Sequence, residues 1–215
     1  MLQAVELGCI AADFLEAKCN PMVNRMLEKI PAGVGRVLKS VRAGAEDLAI
    51  ADTDLTGVNA VIEVSSPAFS YNEMLPVRYT ADGAGVSPPL EWRCVPGDAQ
   101  AVVMLLEDAD SPTTQPLVHA IVWDLPGADG SLPEGALPTH RRDADTDAMG
   151  KNSYLAPTYL PPDPPPGHGA HRYVFQIFAL DIAPRFDQPP GRTALLERIR
   201  DHVIAKGLLI ARYER

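Results

Sequence analysis

Residues 101–112 read Ala101-Val-Val-Met-Leu-Leu-Glu-Asp-Ala-Asp-Ser-Pro112. An unbroken apolar run that stops at acidic residues and a Ser-Pro turn signal is the pattern of a β-strand ending in a turn. The same texture extends in both directions from about Val61: short apolar or alternating runs separated by Pro, Gly and Asp. Strands are expected at 61–64, 77–80, 101–107, 117–125, 172–180 and 208–213, which makes this part of the chain mainly β. Near its end, Leu195, Leu196, Ile199 and Val203 form one apolar stripe at helical spacing, so 193–206 reads as a helix with Gly207 just past its end.

Residues 1–60 differ. They are rich in Ala, Leu and Val, and Val34, Val37, Leu38 and Val41 recur at i, i+3, i+4 and i+7, with Arg36, Lys39 and Arg42 on other faces. This predicts an amphipathic helix opened near Pro31 and closed around Gly44, with a shorter helix over 21–30 before it. An isolated helix of this length is marginal in water, so its apolar face is expected to rest on the remaining chain or on a second copy. The organisation read from the sequence is therefore a helical extension over 1–60 and a β domain over 61–215.

Composition narrows the function. With 46% hydrophobic and 22% charged residues, the 215-residue chain can build a core, while a net charge of −9 with no dense Lys/Arg cluster disfavours nucleic acid. Cys9, Cys19 and Cys94 are odd in number and lack a CxxC pair, as expected of reduced thiols in a cytoplasmic protein. No apolar stretch reaches the roughly 18 residues of a membrane-spanning helix, and no basic leader opens the chain.

Two carboxylates, Asp108 and Asp110, end the strand of the opening stretch, and on an extended chain residues two apart share a face. His119 interrupts the apolar run Leu117-Val-His-Ala-Ile-Val-Trp123, and His171 opens a strand directly after Gly167-His-Gly-Ala170. Each residue has an ordinary reading: the aspartates as turn formers, His119 as a satisfied core histidine. Taken together they suggest a pocket assembled from three strands, in which carboxylates hold the imidazoles cationic, the histidines take a phosphate and the aspartates an ammonium. The connection from His140 to Gly169 carries Pro157-Thr-Tyr-Leu-Pro-Pro-Asp-Pro-Pro-Pro166, expected in extended form beside the mouth of that pocket.

Three separated motifs, Ser87-Pro-Pro-Leu-Glu-Trp92, Glu107-Asp-Ala-Asp-Ser-Pro112 followed by His119, and Pro164-Pro-Pro-Gly-His-Gly-Ala-His-Arg-Tyr173, resemble the signatures of the phosphatidylethanolamine-binding protein family, most closely its bacterial Raf kinase inhibitor-like branch. The resemblance implies a two-sheet antiparallel β-sandwich with peripheral helices. It also implies a ligand site at Asp108, Asp110, Pro112, His119 and His171, with Gly169 and Tyr173 at the rim. The function so implied is non-enzymatic: binding of a small anion or phosphoethanolamine-like headgroup, without cofactor or metal, and engagement of a regulated protein partner, with homodimerisation a further expectation. The alternatives are a metal-dependent phosphoester hydrolase using the Asp/His cluster, or a protease or kinase-pathway inhibitor acting through its partner.

Overall fold

The computed structural model describes residues 32–52, 55, 57–139 and 148–215. Nine strands follow in chain order: β1 (Glu63–Ser65), β2 (Glu73–Met74), β3 (Leu90–Arg93), β4 (Ala101–Asp108), β5 (Leu117–Pro126), β6 (Gly130–Leu132), β7 (Met149–Gly150), β8 (His171–Leu180) and β9 (Val203–Tyr213). One sheet has the order β2-β9-β8-β4-β5-β7 and a smaller one the order β1-β3-β6. All named pairings are antiparallel except β2 with β9 at the edge of the large sheet. This is the sandwich expected from the sequence.

Strand β4 is buried along its whole length because the large sheet is covered on both faces. Val102, Met104 and Leu106 point towards the small sheet, joining Leu90 and Trp92 from β3 and Phe175 and Ile177 from β8. Val103 and Leu105 point the other way, against Leu195, Leu196 and Ile199 of helix α2 (Arg192–Ile199) and against Ala49 and Leu55. Alternation along the strand thus feeds two cores. Strand β9 alternates instead between buried and half-buried residues over eleven positions.

Several elements differ from expectation. The helix predicted to run to Lys206 stops at Ile199; a 3-10 turn (Arg200–His202) follows, and Val203 opens β9. The valine that completed the helical stripe is the first buried residue of a period-2 pattern. Residues 77–79, expected in a strand, form a 3-10 turn, closed where the Thr80 amide and hydroxyl both donate to the Val77 carbonyl. Strands β2, β3, β6 and β7 were not anticipated. Of the N-terminal helices, the one placed over 21–30 lies outside the described residues. The second, α1, spans only Ala32–Val37, and Val41, expected on its apolar face, is 45% exposed.

Candidate functional site

A cavity of about 220 Å³ opens at one end of the sandwich. Its floor comes from strand ends on the core-facing side of the large sheet: Asp108 closes β4, His119 lies in β5, and His171 and Tyr173 alternate along β8. The β4–β5 register passes from Leu106↔Ala120 to Glu107↔Val118 and so skips His119. An irregularity of this kind re-aims a side chain beside a site. The turn after β4 adds Pro112 and Thr113 to the lining, and the proline-rich connection adds Leu160, Pro161, Asp163, Pro164 and Pro165. The proline-rich connection therefore borders the cavity, as its sequence predicts.

Of the residues singled out from sequence, Asp108, Pro112, His119, His171 and Tyr173 line this cavity, whereas Asp110 and Gly169 are not among its lining residues. The shared-face expectation for Asp108 and Asp110 fails because β4 ends at Asp108 and the chain turns, with the Asp110 amide donating to Asp108 Oδ1 at 2.9 Å. Asp110 faces a pair of arginines instead. Arg172 donates to it through its backbone amide (2.9 Å), Nε (2.7 Å) and Nη2 (2.9 Å), and Arg42 Nη1 stands 2.8 Å from Oδ1. Burial alone would raise the Asp110 pKa, but these donors outweigh it and bring it down to about 2. Gly169 takes φ +98°, a conformation open to glycine, and passes beneath Arg42.

His119 and Tyr173 carry the polar capacity of the floor. His119 Nδ1 lies 2.7 Å from the Leu160 carbonyl and so donates to it, which leaves Nε2 without a partner. The Tyr173 hydroxyl is likewise buried and unpartnered, and the two rings meet edge to face with centroids 5.2 Å apart. Burial lowers the His119 pKa below its ordinary value even though the Asp108 charge and the Leu160 carbonyl pull it upward. The expectation that nearby carboxylates hold this imidazole cationic is therefore corrected: desolvation wins, and Nε2 offers a lone pair. Burial also pushes the Tyr173 phenol well up, so its hydroxyl keeps its proton and can donate.

His171 is held differently, and the residue that holds it is one the sequence reading passed over. Its Nδ1 lies 2.7 Å from Asp108 Oδ2, and its Nε2 lies 2.6 Å from Nδ1 of His168. His168 Nε2 in turn meets the carbonyls of Leu38 at 2.7 Å and Val41 at 3.2 Å. The spacing of Gly167-His-Gly-Ala-His171 was the available signal, since it places two imidazoles on one tight turn. Among the described residues, no group of three or more His, Cys, Asp or Glu side chains is disposed to hold a metal ion.

Residues 65–214 match the family model described as phosphatidylethanolamine-binding protein. A UPF0098 protein of Methanothermobacter thermautotrophicus is 32% identical over 154 residues, covering 72% of this chain and 99% of the relative. A UPF0098 protein of Chlamydia pneumoniae is 35% identical over 158 residues, with coverage of 72% and 99%. Among solved structures, the putative phosphatidylethanolamine-binding protein homologue CT736 of Chlamydia trachomatis superposes with a TM-score of 0.63 at 32% identity, covering 73% of this chain and 99% of that one. The fold is shared with YbcL of E. coli, at a TM-score of 0.62 and 24% identity over 73% of this chain and 99% of that one.

Proposed function

The chain belongs to the phosphatidylethanolamine-binding protein family, and from that premise we propose that its cavity binds a small anion or phospho-headgroup and that the protein acts by binding rather than by catalysis. One observation carries the proposal: His119 Nε2 and the Tyr173 hydroxyl are buried on the cavity floor with no partner among the described residues. An unmade hydrogen bond on a buried polar atom costs about 1–3 kcal/mol. Two such atoms side by side are what a ligand of matching polarity would relieve.

The match can be specified. A neutral imidazole nitrogen accepts and a phenol donates, so the complementary group presents one O–H and one oxygen acceptor. A singly protonated phosphate monoester offers both; if the proton passes to His119, the imidazole becomes the donor and the resulting dianion accepts from it and from Tyr173. The carboxylates of Asp108 and Asp163 also line the cavity, and beside their bonds to His171 and the Asp110 amide and to Arg215 they keep acceptor sites for an ammonium carried on the same ligand. Phosphoethanolamine combines these features. In keeping with this reading, the protein works in the cytoplasm and transmits ligand occupancy to a regulated partner. Among the described residues no helix is long and apolar enough to cross a membrane.

The hydrolase alternative has less support. Both ring nitrogens of His171 and both carboxylate oxygens of Asp110 are engaged by protein groups, so a metal would have to displace them. Thermal unfolding with added phosphoethanolamine, inorganic phosphate or ethanolamine tests the binding reading. The two phosphates should raise Tm in a concentration-dependent way and ethanolamine alone should not; a shift with none of them would contradict the proposal.

A further inference from the structure

The stretch from Gly35 to Gly44 lies before the family-matched residues 65–214, yet it joins the proline-rich connection to the turn after β4, two segments that both contribute to the cavity lining. At its start it meets the proline-rich wall so closely that a Cβ on Gly35 would lie 2.2 Å from the Pro166 carbonyl oxygen. Leu38 then lines the cavity itself. At its end, the Ala43 amide donates at 3.0 Å to the carbonyl of Ser111, a lining residue, and the Gly44 amide at 2.9 Å to that of Ala109. Between these anchors Arg42 acts as a clasp. Its Nη1 donates to the Ala170 carbonyl at 3.0 Å, its Nη2 to that of His168 at 3.2 Å, and its charge meets Asp110.

These contacts are almost all polar or backbone. Arg36, Lys39, Ser40 and Val41 are exposed and Leu38 half-buried, so among the described side chains of the stretch only Ala43 is a buried apolar one. Segments fixed by hydrogen bonds at the surface, with few buried apolar contacts, open at the low end of the local stability range. The crossing is also wired to the cavity floor, because His168 links the Leu38 and Val41 carbonyls to His171 and through it to Asp108.

We propose that residues 35–44 form a strap across the mouth of the cavity, with Leu38 as its stopper and Arg42 as its clasp, so that a ligand enters and leaves only when the strap lifts. The strap rests on the reading of this cavity as the binding site. It sets ligand exchange and limits what fits beneath Leu38 to a small head.

Two single variants of the full chain lift the strap by unrelated means. Arg42→Ala removes the clasp, and Gly35→Ala places a methyl group where the Pro166 carbonyl stands, without touching an ion pair. Histidine acylation by diethyl pyrocarbonate, mapped by peptide mass spectrometry, reports cavity access without any ligand. His202, 36% exposed through its side chain, serves as the internal standard. Each folded variant should label His119 about tenfold faster than the parent at unchanged His202 labelling, as a local opening equilibrium shifts. Phosphoethanolamine association followed by stopped flow should accelerate in step. His119 labelling unchanged in both variants overturns the strap. Faster labelling without any phosphoethanolamine binding upholds the strap and contradicts the headgroup reading instead.

Discussion

His168 and His171 meet through a hydrogen bond of 2.6 Å between Nδ1 of the first and Nε2 of the second. With the links to Leu38 and to Asp108, the line from strap to cavity floor has three junctions, and each needs one proton between its two acceptor-capable atoms. Replacing His168 by Ala removes two junctions at once and strands His171 Nε2, while the Leu38 carbonyl keeps the Val41 amide at 2.8 Å. A loss of about 1–3 kcal/mol in urea denaturation is expected. A loss within the roughly 0.5 kcal/mol typical of a surface change would show that the line carries no weight.

Asp110 is predicted to matter for stability more than for ligand. Asp110→Asn keeps the shape but removes the charge opposite Arg42 and Arg172, which are 30% and 40% exposed through their side chains and so pay a smaller penalty than fully buried partners. A cost of about 2–3 kcal/mol follows, below the roughly 3–5 kcal/mol of a fully buried broken pair because solvent reaches both arginines. Because the folded-state pKa of Asp110 lies near 2, below its ordinary 3.8, its contribution is present above pH 3.8 and is lost as pH falls from there through 2. Acid denaturation of the variant should be flatter than that of the parent in this window.

Tyr173→Phe should separate stability from binding. The hydroxyl it removes has no partner in the ligand-free protein, so the variant is expected to be as stable as the parent or up to about 1 kcal/mol more stable. Its affinity for phosphoethanolamine should fall about tenfold, the worth of one hydrogen bond to a charged group. Equal affinity with lower stability would mean that the hydroxyl serves the fold.

His119 gives the opposite pH signature to a histidine held by a carboxylate. Its folded-state pKa is depressed by burial, so the unfolded chain takes up the proton first as pH falls below about 6.5. Its stability contribution is whole above that value and declines below it, by at most about 1.4 kcal/mol per pH unit. His168, also lowered by burial, acts in the same sense. The ligand-free His119→Gln variant should therefore lose less stability than the parent between pH 6.5 and 4.5, measured by denaturant midpoints at several pH values.

Much of the sandwich was legible because β4 and β8 bury both faces and so appear as continuous apolar runs. The small sheet was not. Its strand Leu90–Arg93 follows two prolines and carries Glu91 and Arg93 on its outer side, leaving only Leu90 and Trp92 as an apolar signal. The end of α2 was misplaced because Val203 fits both a helical stripe and the first step of the β9 alternation, and tertiary pairing with Leu180 decides between them. In the site, His119 and His171 stood out as histidines within apolar strands. Asp110 was misassigned because a D-x-D pair shares a face only while the strand continues. The strap was invisible for a further reason: the Arg42 and His168 side chains reach backbone carbonyls more than a hundred residues away in sequence, and no periodicity encodes such contacts.

On the binding reading, His119 and Tyr173 receive a phospho-headgroup together with one proton. Isothermal titration of the full-length protein with phosphoethanolamine at pH 6, 7 and 8, repeated in buffers of different ionisation enthalpy, measures affinity and proton uptake in one experiment. Binding should weaken about tenfold per unit from pH 7 to 8, as expected for a phosphate with pKa near 6, with close to one proton taken up and with affinity lost in His119→Gln. Binding of equal strength across this range with no proton uptake, or no binding at any of the three values, would contradict the account.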